Sequence, residues 1–185
     1  MQLLLCHSLV RSNQYAPKQK FIKVIRKGTL SDFDFFYGLY MHPQVNPYLL
    51  YEMMDEPTFR PIFEALTQQG VLYVFEVDGK PVGMSKLVPM QHRNSHIVYL
   101  GGVAIDPAAG GKGYGAIMLQ KVIDYAVTMG FLRIELSVAI SNKRAISLYQ
   151  KLGFVQEGLF KKFSYLKSEN IYLDEIFMAW IKDEN

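Results

Sequence analysis

Residues 108–116 read "AAGGKGYGA", four glycines and a lysine set between two apolar runs. Upstream, "HIVYLGGVAI" (96–105) is rich in β-branched and apolar residues and predicts a strand. Downstream, "YGAIMLQKVIDYAVTMG" (114–130) places Ala116, Leu119, Ile123, Ala126 and Val127 on one face at helical spacing, with Gly130 as its stop. "FLRIELSVA" (131–139) then alternates, Leu132, Ile134, Leu136 and Val138 to one side and Arg133, Glu135 and Ser137 to the other. The quoted stretch is therefore the loop of a strand–loop–helix–strand unit, a βαβ arrangement.

A helix start offers unpaired N–H groups and a partial positive charge, and glycines let a ligand come close to both. The junction thus predicts a phosphate-binding loop; the bland alternative is a flexible turn. A Walker A loop is excluded, because Gly111-Lys112 is followed by Gly113 rather than Ser or Thr. The dinucleotide pattern does fit Gly111, Gly113 and Ala116, with Glu135 near the position of a ribose-binding acid. Against it, Glu135 falls in mid-strand and "DPAAG" separates the strand from the later glycines, so this reading stands second. Gly101 and Gly102, adjacent inside the preceding strand, mark a bulge or a close approach of something to the backbone.

Working back along the chain, "FIKVIRKG" predicts a strand over 21–26. Ser31 is the expected N-cap of a helix that buries Phe33, Phe36, Leu39 and Tyr40 and stops before Pro43. A second helix is expected from about Thr58 to Gly70, with Asp55 and Glu56 near its positive end. "VLYVFEV" and "KPVGMSKLVPM" are two strands joined by Asp78-Gly79, a two-residue hairpin signal. Beyond the βαβ unit, a helix is expected over 142–152.

The chain has 185 residues, 50% hydrophobic and 20% charged, enough for a single domain with a full core. We assign residues 1–19 to an N-terminal extension and 20–185 to that domain. The opening "MQLLLCHSLVRSNQYAPKQK" lacks a positive n-region and is too short and interrupted to span a bilayer. A net charge of +3 without a basic block suits an anionic small ligand and argues against nucleic acid and membrane partners. The lone Cys6 fits a reducing, cytoplasmic setting. His92 and His96 are four apart but have no third ligand, so no metal is expected.

Two segments in order carry a resemblance to a known family. Gly110, Gly111, Lys112, Gly113, Tyr114 and Gly115 are similar to the acetyl-CoA loop of the GNAT superfamily of N-acetyltransferases, Arg/Gln-x-x-Gly-x-Gly/Ala. "SNKRAISLYQKLGF" resembles that family's Asn-x-x-Ala-x-x-x-Tyr-x-x-x-Gly-Phe segment through Asn142, Ala145, Tyr149, Gly153 and Phe154, and "YLDEIFMAW" its closing strand. The resemblance covers about residues 21–182. One departure is Gly110, where the family has Arg or Gln; Lys112 is the candidate to supply the missing charge.

The resemblance implies an α/β (α+β) fold, a mixed and mostly antiparallel sheet flanked by helices and splayed at its central strands. It implies an acyltransferase that moves acetyl from acetyl-CoA to a primary amine on a small molecule or peptide, with a homodimer left open. It gives the Gly101-Gly102 pair a meaning, a bulge that opens a V for the pantetheine arm. Main-chain groups of Val103, Ala104 and Ile105 would bind the arm, and one N–H would stabilise the oxyanion. Gly110, Gly111, Lys112, Gly113, Tyr114, Gly115 and Ala116 would hold the pyrophosphate. Tyr149 resembles the tyrosine that protonates the departing thiolate, and reads equally as a core aromatic.

An amine of pKa about 10.4 must lose a proton before it attacks, so a base or water chain is needed. Glu135 and His96 are the candidates, with a solvated Glu and a surface His as the bland readings. Asn142 is a candidate for CoA binding and, equally, a helix cap. Glu52, Asp55, Glu56, Asp174 and Glu175 are candidates to attract a cationic acceptor. Beside the enzyme stand two alternatives, a non-catalytic acyl-CoA sensor and a dinucleotide-binding module.

Overall fold

The computed structural model describes residues 21–183; the expected extension over 1–19 lies outside the described residues. Seven strands form one sheet: β1 (Lys23–Lys27), β2 (Leu72–Val77), β3 (Lys80–Pro89), β4 (Ile97–Ile105), β5 (Arg133–Ala139), β6 (Val155–Leu166) and β7 (Ile171–Ile181), in the order β1-β2-β3-β4-β5-β7-β6. Only β4 and β5 run parallel; every other neighbouring pair is antiparallel. This is the mixed sheet expected above, closed on both faces by helices.

Helices α1 (Phe33–Tyr40) and α2 (Glu56–Gln68) cover one face, where Phe33, Phe36, Phe59 and Phe63 pack against Leu72, Val74, Met84 and Ala104. Helices α3 (Tyr114–Thr128) and α4 (Lys143–Lys151) cover the other, with Leu119, Val122, Ile123, Ile146 and Tyr149 against Val98, Leu100, Ile134 and Leu136. Each fully buried Phe or Leu contributes about 1.5–3 kcal/mol by leaving water. The two clusters clamp the sheet from both sides.

The local signals mostly hold. Asp78 and Gly79 both take positive φ, 51° and 75°, which matches the twist of the β2–β3 hairpin. Gly130 ends α3 at φ 91°. Three expectations are corrected. Ser31 caps nothing: a 3-10 turn over Leu30–Asp32 precedes α1, capped by a reciprocal Thr29–Asp32 box. Helix α2 starts before Thr58, because Asp55 accepts the Thr58 N–H at 3.1 Å and is its N-cap. Leu132 is 48% exposed, since it lies one residue before β5 begins and escapes that strand's alternation.

β4 and β5 pair at only three positions, Ile97 with Arg133, Val98 with Ile134 and Tyr99 with Glu135. Beyond Tyr99, β4 stays with β3 as far as Ile105, and β5 stays with β7 as far as Ala139. The sheet therefore splits, and the two strands bound a gap lined by residues 100–105 and 136–139. This separation positions everything that follows.

Candidate active site

The Gly101-Gly102 pair is a bulge. Opposite β3, Lys86 pairs with Gly101 and Met84 with Ala104, so β4 carries one residue more than its partner. Gly102 takes φ +57°, a conformation that L side chains rarely adopt. The extra residue changes which main-chain groups face the gap. The His96 carbonyl accepts from Leu132 N–H at 2.9 Å, so even positions point towards β5 before the bulge. After it, Asp106 N–H donates to Val82 on the β3 side at 2.9 Å. By strand alternation Ala104 also points to β3, and the amides and carbonyls of Val103 and Ile105 point into the gap. Of the three residues expected to bind an arm there, Val103 and Ile105 are so placed; Ala104 is turned the other way and buries its methyl beside α1 and α2.

At the open end of β4 lies the glycine loop. Asp106 folds back to accept the Ala108 N–H at 2.9 Å, and a 3-10 turn over Pro107–Ala109 brings the chain round. Gly110 to Gly113 are exposed, with Gly111 and Gly113 at φ 76° and 73°. Gly113 is the N-cap of α3 and offers no side chain to it; the first turn carries no acid either. By contrast α2 and α4 are capped by Asp55 and Asn142. The first N–H groups of α3 are thus left for an external acceptor at the positive end of the helix, with Lys112 alongside. Gly115 lies near Leu148 and Ile105, and a Cβ there would make ordinary van der Waals contact with both, at 3.4 and 3.9 Å. Tyr114 turns its ring inward against Phe75, 6.2 Å between centroids, and Ala116 is half-buried in the first turn.

Tyr149 is buried on α4 and packs on Phe154 at 5.5 Å. Burial, with a smaller effect of the neighbouring Tyr99 phenol, pushes its hydroxyl well above the ordinary tyrosine range. It therefore stays protonated at neutral pH. Tyr99 itself reaches across the split, its hydroxyl 2.9 Å from Ser137 Oγ on β5. Neither residue carried a sequence signal: both read as ordinary strand positions, and only the splay brings them together.

Glu135 stands in register with Tyr99 at the apex of the gap, its carboxylate 2.6 Å from Arg133 Nε. Arg133 in turn holds Glu157. His96 is exposed just before β4, at the closed end where the strands are still paired, so the structure does not bring it to the gap. Asn142 spends its side-chain oxygen on the Ala145 N–H at 3.1 Å as the cap of α4. The acids expected to attract a cation are also engaged: Asp55 in its cap, Glu56 with Arg60, Glu52 with the Lys167 N–H, Asp174 with the Lys162 N–H and Glu175 with Ser164 Oγ.

The start of α3 opens on one face of the sheet, and the α1–α2 cluster packs on the other. That second side is walled by Tyr40 and the segment after it. Asn46 is buried and its amide donates to the carbonyls of Tyr40 and Tyr51, at 2.7 and 2.9 Å, fixing the segment's shape. The Glu52–Lys167 hydrogen bond, 3.2 Å, ties it to the β6–β7 connection. Among the described residues no group of three His, Cys, Asp or Glu side chains could hold a metal, and no helix is long and apolar enough to cross a membrane.

Comparison with known proteins places this geometry. The chain matches the Acetyltransferase (GNAT) family over residues 33–154 and belongs to that family. It is 33% identical over 97 residues to the uncharacterized N-acetyltransferase MJ1207 of Methanocaldococcus jannaschii, a match covering 48% of this chain and 41% of that protein. It is 32% identical over 108 residues to the L-amino acid N-acetyltransferase AaaT of Escherichia coli, covering 57% of this chain and 65% of the other. The matches thus span less than two thirds of either relative. The solved spermidine N-acetyltransferase from Vibrio cholerae, in complex with CoA and spermine, superposes with TM-score 0.75 at 21% identity, covering 86% of this chain and 95% of that one. The dinucleotide reading fails, because among the described residues a single parallel pair of three positions stands where that reading needs a doubly wound parallel sheet.

Proposed function

We propose that the protein transfers an acetyl group from acetyl-CoA to a primary amine by direct attack. The observation that carries this reading is the uncapped, glycine-lined start of α3 at the mouth of a gap into which Val103 and Ile105 direct main-chain groups. The α3 amides and Lys112 bind the pyrophosphate. The pantetheine arm lies along β4 like an added strand, hydrogen-bonded to Val103 and Ile105. An N–H at Val103 donates to the thioester oxygen and stabilises its negative charge as the amine adds.

The protons move in three transfers. The acceptor's ammonium first gives a proton, through water beside the Tyr99–Ser137 hydroxyls, to Glu135 at the apex. The amine nitrogen then bonds to the acetyl carbon and gives up its second proton to water, the carbon–sulfur bond breaks, and the thiolate takes the proton of Tyr149. The phenol is re-protonated from solvent. That CoA is bound by the Vibrio cholerae structural relative supports the choice of donor.

A melting experiment tests the binding half. A ligand at about 100 times its Kd adds about 2.7 kcal/mol of stability, so acetyl-CoA raises the melting temperature and NAD does not. Release of free CoA thiol in the presence of a panel of amines tests the chemical half. Preference for NAD sinks the reading, and tight CoA binding without turnover on any amine leaves an acyl-CoA sensor in its place.

A further inference from the structure

Lys86 is a half-buried ammonium on the acceptor side of the gap, and no carboxylate lies within ion-pair distance of it among the described residues. It sits on β3 in register with Gly101, on the face that carries Tyr99 and Tyr40. Its stem lies against the bulge: Cβ is 3.7 Å from the point a Gly102 Cβ would occupy, and Cε is 3.5 Å from that of Gly101. The stem thus runs beside the residue next to Val103, whose amide faces the gap. Its Nζ stands 5.9 Å from the centre of the Tyr51 ring.

Taking an ammonium partly out of water without a counter-charge is costly, and burial accordingly pushes the Lys86 pKa below the ordinary lysine range. An aromatic face recovers only part of that cost. Glu135 is engaged by Arg133, Glu175 by Ser164 and Glu52 by the Lys167 N–H. A cation left incomplete beside the reacting centre is completed by an anion on the substrate.

We propose that Lys86 binds the carboxylate of the acceptor, so that the amines acetylated are amino acids rather than polyamines. This rests on the acetyl-transfer reading. The nitrogen would reach the thioester from the α1–α2 face while the carboxylate lies over the bulge against Nζ. A polyamine would set a second cation against Lys86, which disfavours it.

The test is CoA thiol release with the proteinogenic L-amino acids, with the amides of those turned over, and with spermidine, for the wild type and for Lys86→Met and Lys86→Arg. An amide's amine has its own pKa, so the readout is the acid-to-amide ratio of kcat/KM compared between wild type and variant, in which the free-amine fraction cancels. The expected result is a fall of about 10- to 100-fold in that ratio for Lys86→Met, the range of a hydrogen bond to a charged group. Lys86→Arg retains most of it, and the melting shift with acetyl-CoA is unchanged in both. An unchanged ratio, or spermidine as the best acceptor, overturns the proposal. Should no amine be turned over, the acetyl-transfer reading falls, and calorimetric titration of the CoA-loaded protein with the same acids and amides decides for Lys86: acid-selective binding lost in Lys86→Met upholds it, and its absence overturns it. If the variants do not fold, inhibition of the wild type by the matching 2-hydroxy acids but not by their amides upholds it, and equal inhibition overturns it.

Discussion

The hydroxyl of Tyr40 lies 2.7 Å from the point where a Cβ on Gly102 would stand. Tyr40 is the last residue of α1 and is buried, ringed by Tyr51 at 5.5 Å and Phe59 at 5.2 Å. Burial pushes its phenol above the ordinary range, so it meets the bulge as a neutral hydroxyl. The aromatic cluster of α1 and α2 is thereby pressed against the one backbone position on β4 that sets which amides face the gap. Fold and site meet at this contact.

Gly102→Ala therefore acts twice. The left-handed backbone costs about 1–2 kcal/mol for a residue with a Cβ, and the methyl collides with a ring that cannot withdraw. Denaturant melts should show a loss of at least that size, together with a reduced acetyl-CoA melting shift. Gly102→Ala combined with Tyr40→Phe should regain part of both. Gly101→Ala, where φ is not left-handed and the nearest atom is on the Tyr99 ring at 3.3 Å, should cost less.

Gly113→Asp should separate stability from binding. Asp tolerates a left-handed backbone better than most residues. Its carboxylate would cap the open N–H groups of α3 and sit favourably at the helix's positive end, effects of about 0.5–1 kcal/mol. The same carboxylate occupies the place assigned to the pyrophosphate. The apo melting temperature should hold or rise while the acetyl-CoA shift disappears; a retained shift removes the phosphate assignment.

Much of this arrangement was legible from short-range chemistry. A glycine loop opening a helix, two glycines inside a strand and Asp78-Gly79 between alternating runs each require a particular backbone, and each sits where that requirement put it. What escaped depends on strand register between distant residues. The bulge alone turns Ala104 away from the gap and Val103 and Ile105 into it. Tyr99 meets Ser137, 38 positions on, only because β4 and β5 pair briefly and then part. His96 offered an imidazole, but nothing local said that its end of the strand is the closed one. Ser31 looked like a cap because the sequence does not show that Asp32, drawn in by Arg26, closes a box with Thr29 first.

That Arg26–Asp32 pair gives an acid signature. Arg26 grips both Asp32 oxygens, at 2.7 and 2.8 Å, and reaches Glu76 at 2.7 Å; Asp32 also accepts the Thr29 N–H at 2.8 Å. The Arg26 hydrogen bonds, followed by those from Thr29, hold the Asp32 carboxyl below the ordinary range. A lowered folded pKa stabilises the protein above the unfolded value of about 3.9, and that stability is lost as pH falls through the lower folded value. Asp32→Asn should cost about 1–3 kcal/mol at pH 7. The gap between wild type and variant should narrow steadily below pH about 4, as read by urea titrations across that span.

Tyr149→Phe addresses the chemistry directly. Phenylalanine keeps the ring and its packing on Phe154, and the position is buried, so stability should change little and acetyl-CoA should still raise the melting temperature as it does for the wild type. What is removed is a proton for the leaving sulfur. Loss of a positioned general acid costs about 100- to 10,000-fold in rate, and kcat should fall within that range on any amine the wild type accepts. The pH dependence separates this from a packing defect. Because burial keeps the phenol protonated far into the alkaline range, the wild-type rate should climb with pH as the acceptor amine loses its proton, without an alkaline fall from Tyr149 itself. The variant should climb with the same profile from a lower level. A variant with wild-type kcat leaves Tyr149 as a core aromatic and moves the thiolate's proton to water or to the Tyr99–Ser137 pair, which Tyr99→Phe would then expose.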